Sequence, residues 1–327
     1  LHTGSSFSSG DPPYAPVSET GTTSVSAARG ALFGMPEMLF GNMPNDGGAL
    51  LLSQEEAHAA IKNHGVDSSF IRTFVGSYEF INGIQRNCIW VLPDQYRMAA
   101  DNAFLKSRFE QVRQVRSASN RAATQELSRI PFSFGEVRQR GNEVAIVVPR
   151  ITSERRFYLP VGLIHQGAII SSQNFAVYDP PLWVFALLAS KIHRTWIATV
   201  CGRTRTDFAY SNTLGWNTFP VPTLTEKNKA DLTRCAEDIL LAREAHFPKT
   251  IADLYDPEKM PADLREAHER NDEVLERIYI GRRFRNDTER LEKLFELYTR
   301  MTAGRPGKAK TPGKATRRPS VEAQSEL

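Results

Sequence analysis

The sequence has few cysteines. Its 327 residues include three, Cys88, Cys201 and Cys235, which lie far apart and form no CxxC pair. A disulfide framework and a zinc knuckle both need paired or closely spaced cysteines, so both are excluded. Such sparse cysteine usage is typical of a reducing compartment, and we expect a cytoplasmic location.

Long apolar runs are also missing. The longest, from Leu182 to Ser190, is far shorter than the roughly 20 residues that cross a bilayer. The first residues, LHTGSSFSSGDPPY, have neither the basic start nor the apolar centre of a signal peptide. We therefore expect no membrane partner.

The common nucleotide and metal motifs are absent as well. GxGxxG, the P-loop, GxSxG and HExxH do not occur in the sequence. His268 and Asp272 share a helix face at i and i+4, which could hold a metal, but no third ligand is evident. We expect a structural role for this pair, and we predict no metal site and no cofactor site in this chain.

One tetrapeptide, Asp11 to Tyr14 (DPPY), matches the signature by which amino-methyltransferases bind the amine of a flipped base. That chemistry needs a preceding strand and a cofactor site, whereas ten residues rich in Ser and Gly precede Asp11. We interpret the match as coincidental and predict no catalytic residue in this chain.

Charge is unevenly distributed along the chain. The net charge is +4, but residues 1–100 carry −4, residues 101–220 carry +7, residues 221–302 carry −3 and residues 303–327 carry +4. A wholly basic nucleic-acid coat protein is excluded, whereas a basic middle segment suited to a polyanion is not.

Composition divides the chain into four parts. Residues 1–34 are rich in Ser, Gly, Thr and Pro and are predicted to be a disordered linker, and residues 303–327 a disordered basic tail. Residues 35–222 mix strand and helix patterns, and residues 223–302 are helical throughout. The predicted fold class is α+β, a mixed strand and helix domain followed by an all-α domain.

Several elements are predicted from caps, turns and β-branched runs. Helices are expected from Ser53 to Asn63, from Pro93 to Ser119 and from Leu182 to Val200, and strands at Phe74–Ile84, Cys88–Leu92, Glu143–Val148, Phe157–Leu159 and Ala168–Ile170.

Six ordered motifs between Met35 and Thr302 resemble one family. They are PEMLFGNMPNDGGALLLS, FVGSYEFINGIQRNCIW, ERRFYLPVG, SSQNFAVYD, FALLASKIHRTWIATVCGRTRTDFAYSNTLGWNTFPVP and IADLYDPEKMPADLREAHERND. The series resembles the C-terminal half of MmeI-like (type IIL) adenine-specific DNA methyltransferases. One departure is Asn87, where the family usually has an aromatic residue, and it affects a local packing contact.

The resemblance implies a target-recognition domain at 35–222 and a helical C-terminal domain at 223–302. The implied function is sequence-specific DNA recognition for adenine-N6 methylation in restriction–modification or phage defence. The family's S-adenosylmethionine motif and its NPPF-type motif would lie upstream of Leu1. The implied partners are double-stranded DNA and a methyltransferase catalytic half. The alternative is a stand-alone DNA-binding specificity protein, or an inactive remnant, without catalysis.

The resemblance also points to individual residues. The alternating positions after the family's Gly-Arg pair read bases, and here they correspond to Arg205 and Asp207. In an extended loop these two side chains would point the same way. The alternative for Arg205 and Asp207 is a solvated salt bridge within the loop. DNA-backbone contact or loop support is expected from a further set, Arg203, Tyr210, Ser211, Asn212, Arg108, Arg113, Arg116 and Arg121. For the last four arginines the expectation comes from the basic surplus of residues 101–220, and the alternative is an ordinary solvated helix face.

Overall fold

The computed structural model describes residues 24–303 of the chain. Within that range the fold is α+β, as predicted: eleven short strands and seven helices precede residue 222, and four helices follow it. None of the helices between residues 24 and 303 combines the length and the apolar character needed to cross a membrane.

The strands are mostly two to five residues long. They are β1 Leu39–Phe40, β2 Leu51–Leu52, β3 Ile71–Val75, β4 Asn87–Ile89, β5 Ala145–Pro149, β6 Ile151–Thr152, β7 Gly162–Ile164, β8 Ala168–Ile170, β9 Asn174–Tyr178, β10 Gly202–Thr204 and β11 Asp207–Ala209.

The helices are longer toward the C-terminal end. They are α1 Gln54–His64, α2 Ser77–Asn82, α3 Tyr96–Asp101, α4 Ala103–Ser117, α5 Ala122–Glu126, α6 Trp183–Leu188, α7 Lys191–Val200, α8 Glu226–Glu244, α9 Ile251–Leu254, α10 Ala262–Ile280 and α11 Asp287–Thr302.

Three small sheets organise the strands. The sheet β1-β9-β5-β7 is antiparallel, the sheet β2-β4-β3-β8 is mixed because β3 and β8 run parallel, and β10-β11-β6 is antiparallel. Val75 and Ile170 of the mixed sheet pack against Val147 and Ala176 of the antiparallel sheet. The two four-stranded sheets therefore share an apolar contact and fold as one unit.

The mixed sheet forms a first lobe with α1, α3 and α4. Ser53 caps α1 as predicted, because its hydroxyl accepts from the Glu56 amide at 3.1 Å and the Glu56 carboxylate accepts from the Ser53 amide at 2.9 Å. Gly65 ends the helix in the left-handed region at φ 62°. The predicted helix from Pro93 to Ser119 is divided, since Asn102 caps α4 through hydrogen bonds from the amides at 104 and 105.

The predicted extended segment Phe74–Ile84 is wrong beyond Val75. Residues 77–82 form α2, and Gly83 ends that helix at φ 65° with its amide donating to the Glu79 carbonyl. The Asn82-Gly83 pair is therefore a helix C-cap and not a hairpin turn.

The predicted strand Phe157–Leu159 is also wrong. Residues 157–159 form no strand, and the Tyr158 ring instead stacks on His268 with ring centroids 4.1 Å apart. The predicted strand Ala168–Ile170 is confirmed as β8.

The predicted single helix from Leu182 to Val200 is two helices. Ser190 has extended backbone (φ −89°, ψ 156°), and its hydroxyl donates to the Leu187 carbonyl at 2.7 Å and accepts from the His193 amide at 3.1 Å. Ser190 thus ends α6 and caps α7. Ser190 is fully buried, so the junction between α6 and α7 lies in the core although the helix ends there.

The four C-terminal helices share a core with the preceding domain. The Asn271 amide donates to the Ala186 carbonyl at 2.8 Å, and the Tyr279 hydroxyl donates to the Pro220 carbonyl at 2.8 Å. Trp196 of α7 lies 5.4 Å from Phe295 of α11, centroid to centroid. The helical domain therefore supports α6 and α7 directly.

The structure describes residues 24–34 of the segment that the sequence analysis predicts to be a disordered linker. The Ala28 amide donates to the Thr213 carbonyl at 2.9 Å, and the Asn217 side chain donates to the Ala28 carbonyl at 2.8 Å. Backbone groups of Ala28 thus find partners in residues 213 and 217. Residues 1–23 and 304–327, which include Asp11–Tyr14 and nearly all of the basic tail, lie outside the described residues.

Candidate nucleic-acid interface

The sheet β10-β11-β6 ends in an exposed hairpin. Thr204 pairs with Asp207, so the turn between the strands consists of Arg205 and Thr206 alone. Arg205 adopts φ 58°, a left-handed conformation that a residue with a Cβ takes at a cost of roughly 1–2 kcal/mol. Its side chain is exposed at the tip of the hairpin.

The strand register separates the two faces of this sheet. Phe208 pairs with Arg203 on one side and Thr152 on the other, and both Phe208 and Thr152 are buried. Asp207 lies on the opposite face, the face of the exposed Ile151. The tip is exposed, and the outer face carries the exposed Ile151 and the partly exposed Asp207.

Arg205 and Asp207 do not lie on one extended strand. The expectation that they point the same way because they are two residues apart is wrong, since Arg205 belongs to the turn and Asp207 begins β11. The structure nevertheless places both residues at the same end of the hairpin. The Asp207 carboxylate is also near Arg156, where its charge raises the pKa of that guanidinium against the larger lowering caused by burial.

Arg203 fixes the hairpin from its inner face. Its guanidinium forms an ion pair with Glu154, donates to the Thr206 carbonyl at 2.9 Å and lies 4.8 Å from the Phe208 ring centroid. An arginine so engaged supports the loop. Sequence reasoning identified Arg203 but missed Glu154 and Phe208, whose pairing with it depends on a register that only the fold reveals.

The residues that follow β11 also point inward. The buried Tyr210 hydroxyl lies 3.0 Å from Nε2 of His193, and the Asn212 side chain donates to the Met38 carbonyl at 2.8 Å. The Ser211 hydroxyl accepts from the Leu214 amide at 3.4 Å and caps the helical turn Asn212–Trp216. Of the two roles expected for these three residues, their contacts fit loop support.

Burial also fixes the charge state beneath the hairpin. It lowers the pKa of His193 to about 3, so this imidazole is neutral at physiological pH. The Tyr210 hydroxyl at the end of the hairpin therefore contacts a neutral, buried imidazole.

Of the two roles expected for Arg116, DNA-backbone contact or loop support, its contacts fit loop support. Its side chain is fully buried, and its guanidinium donates five hydrogen bonds of 2.7–3.0 Å to backbone carbonyls. The acceptors are the carbonyls of Pro44, Asn45, Leu127, Ile130 and Ser133. A side chain with all its donors used inside the protein has nothing left for a phosphate.

The other three predicted arginines of this region do not form one face. Arg108 is half-buried and pairs with Glu56 of α1 at 3.0 Å. Arg113 is exposed beside Glu110, and Arg121 is exposed at the start of α5. Only Arg113 and Arg121 of the predicted set therefore keep their charge on the open surface of the first lobe.

His268 and Asp272 are structural, as expected. Nδ1 of His268 donates to the Ala189 carbonyl at 3.1 Å, so Nε2 accepts from the Tyr255 hydroxyl at 2.7 Å. Asp272 accepts from the Tyr158 hydroxyl at 2.9 Å and the Lys191 amide at 2.8 Å. Among residues 24–303, no group of three or more His, Cys, Asp or Glu side chains is placed to hold a metal.

A surface cavity of about 350 Å³ lies between α8 and α10. It is lined by charged groups that pair with one another, such as Arg234 with Asp231 and Arg277 with Glu273. The cofactor's anchor is a glycine-rich turn after a strand, and neither of these helices supplies one. These residues therefore do not fit the cofactor.

Comparison with known proteins accounts for nearly the whole chain. The family model of the MmeI target recognition domain matches residues 19–223, and the family model of the MmeI C-terminal domain matches residues 224–304. DNA methyltransferase A of Bacillus subtilis (strain 168) is 38% identical over 268 residues, which are 82% of this chain and 30% of that protein.

A solved structure agrees with the sequence matches. The type IIL restriction-modification enzyme MmeI in complex with DNA superposes with a TM-score of 0.82 at 28% identity, over 87% of this chain and 38% of that one. This chain thus spans about a third of the length of these relatives. The resemblance drawn from the six motifs is confirmed. The chain belongs to the MmeI family, as a target recognition domain joined to the family's C-terminal domain.

Proposed function

We propose that this chain is the DNA-recognition part of an adenine-N6 DNA methyltransferase that uses S-adenosylmethionine and serves restriction–modification or phage defence. Duplex DNA is one partner, and a methyltransferase catalytic half supplies the chemistry. The relatives support this proposal, since one is a DNA methyltransferase and another is an enzyme solved in complex with DNA.

The hairpin carries the proposal. Its tip presents an exposed arginine in a strained left-handed conformation, and a carboxylate follows two residues later. Such strain persists only where the surrounding structure enforces it, and it concentrates at functional sites. Arginine can donate two hydrogen bonds to guanine O6 and N7, and a carboxylate can accept one from the N4 amine of cytosine. Arg205 and Asp207 together thus suit a G·C pair in the major groove.

The cofactor belongs to the catalytic half in this proposal. We therefore expect calorimetry to show no heat of S-adenosylmethionine binding to the purified chain. We also expect the purified chain to transfer no methyl group from labelled cofactor to DNA. Saturable micromolar binding or methyl transfer would contradict this assignment and make Asp11–Tyr14 a candidate site.

The reading function is tested with Arg205→Ala. Selection from a randomised duplex library should give a consensus for the unaltered chain, and this variant should relax one position about tenfold or more, because a bidentate base contact discriminates by roughly 1–3 kcal/mol.

Arg155→Ala is the matched control for that experiment. Arg155 is exposed and pairs only with Glu258 across the surface, so the variant loses the same charge without touching the hairpin. It should leave every consensus position intact. A uniform loss across all positions in Arg205→Ala would show that Arg205 is a phosphate or folding contact.

A further inference from the structure

We propose that Arg194 is a positioning residue for base reading: it holds the hairpin in its reading geometry without touching DNA. This inference rests on the proposed function of the hairpin and adds to it a residue on a different element, helix α7. Arg194 stands out in α7 because the other central residues of that helix are apolar or buried.

Arg194 joins the helix to the loop beneath the hairpin. Its Nε donates to the Arg156 carbonyl at 2.8 Å, and its Nη2 donates to the Glu154 carbonyl at 2.7 Å. Two carbonyls two residues apart are thus held by one planar group. Lysine could not reproduce this, because its ammonium lacks the fixed fork of the guanidinium.

The same guanidinium also contacts the hairpin. Its Cζ lies 5.3 Å from the ring centroid of Phe208, the central residue of β11, and the Cζ of Arg203 lies 4.8 Å from the same centroid. Both distances are within the range of cation–π attraction. Glu154 completes the arrangement, because its carboxylate pairs with Arg203 while its carbonyl accepts from Arg194.

We call these four residues, Glu154, Arg194, Arg203 and Phe208, the clamp. The clamp lies on the face of the sheet that carries the buried Phe208, opposite the face that carries Asp207, and its Arg203 and Glu154 side chains stay partly exposed. Phe208 is 3% exposed, so the ring cannot move without displacing the two guanidinium groups. The clamp therefore restricts the hairpin whose tip holds Arg205 in its strained conformation.

Helix α7 connects the clamp to the C-terminal domain. Thr195, next to Arg194, lies 3.4 Å from the Asp287 carboxylate at the start of α11, and Trp196 packs on Phe295 and Tyr298 of the same helix. The C-terminal helices thus give the hairpin a rigid base. This arrangement explains how a short three-stranded sheet can present a side chain accurately.

Hydrogen exchange of the free protein tests the clamp without DNA. Arg194→Lys should speed the exchange of backbone amides in residues 202–210 about tenfold, because the lost charged hydrogen bonds and ring contact each stabilise the closed hairpin. Exchange in the distant helix α1 should be unchanged. Arg155→Lys, in the neighbouring loop, is the control and should leave the hairpin's exchange unaltered.

Selection from the randomised duplex library tests positioning. Arg194→Lys should relax the same base-pair position as Arg205→Ala, with an unchanged salt dependence of binding because the charge is conserved. Glu154→Gln is a second variant, at a partly exposed site, and it should fold normally. Like Arg194→Lys, it should speed amide exchange in the hairpin and relax the same base-pair position.

The results separate the two proposals. If Arg194→Lys and Glu154→Gln leave both the hairpin's exchange and the consensus unchanged, the positioning inference is overturned. Equal weakening at every position together with a lower melting temperature would assign Arg194 a purely structural role and overturn it too. If Arg205→Ala itself relaxes no single position, the base-reading function fails, whereas faster exchange in Arg194→Lys would still support the clamp.

Discussion

Arg116→Met is expected to lower the free energy of unfolding by at least about 4 kcal/mol, a large part of the roughly 5–15 kcal/mol that stabilises an ordinary domain. The substitution removes one group that satisfies five buried carbonyls. Each buried acceptor left without a partner costs roughly 1–3 kcal/mol, and relaxation or entering water recovers part of the sum.

The five acceptors explain why Arg116 is so sensitive. They come from residues 44–45, before β2, and from residues 127–133, after α5. One guanidinium therefore joins α4 to two separate segments of the chain. Burial lowers the pKa of Arg116 and the nearby Asp46 carboxylate raises it, yet an arginine remains charged in either case.

Urea unfolding of the purified chain measures this effect. Arg113→Met is the matched control, since Arg113 lies on the same helix, is exposed and pairs only with Glu110. It should change stability by less than about 0.5 kcal/mol. Equal losses in the two variants would mean that the carbonyl network around Arg116 contributes little.

Arg116 also shows what sequence reasoning could not decide. Arg108, Arg113, Arg116 and Arg121 look alike in the sequence as a row of cations near a helix. Whether a cation faces a phosphate or a set of carbonyls depends on distant segments, here residues 44–45 and 127–133, that only the fold brings to it. Charge counting therefore overestimated the basic surface of residues 101–220.

Local signals were reliable where one residue decides the outcome. The capping box at Ser53 predicted the start of α1, and the β-branched run before Pro149 predicted β5 to within two residues at each end. The same kind of signal was misread at Gly83, where a left-handed glycine ends a helix, although it resembles a hairpin turn in the sequence. Glycine after asparagine permits both structures, and packing selects one.

Sequence reasoning singled out the residues of the hairpin but did not predict its turn or its strand pairing. The motif directed attention to Arg205 and Asp207, and the structure places the first in the turn and the second at the start of β11. The two-residue turn and the clamp behind it depend on the pairing of Phe208 with Thr152 and of Ala209 with Ile151 in β6, 56 and 58 residues earlier in the chain. Long-range register of that kind has no local signature.

Exchanging the two charges of the hairpin is expected to change the preferred base pair at a single position. In Arg205→Glu with Asp207→Arg, one favourable contact is lost and another is gained, each of roughly 1–3 kcal/mol. The relative preference at that position should therefore shift by about 30-fold to 10⁴-fold, while the other positions keep theirs.

The exchange has an internal control, because the net charge does not change. The salt dependence of binding should stay the same, since it follows the number of phosphates neutralised. Arg205→Glu alone should weaken binding and lose the preference without gaining a new one. Selection from the randomised duplex library, performed in parallel on the three proteins, measures both effects.

The neighbours of Asp207 provide a last test of the exchange. Its carboxylate lies near Arg156, so a guanidinium at position 207 is repelled by that residue. Adding Arg156→Gln to the exchanged variant should relieve this repulsion, raise its melting temperature and sharpen the new preference. If the exchange instead weakens every position equally, with or without Arg156→Gln, Arg205 and Asp207 do not read a base pair. The hairpin would then bind the DNA backbone alone.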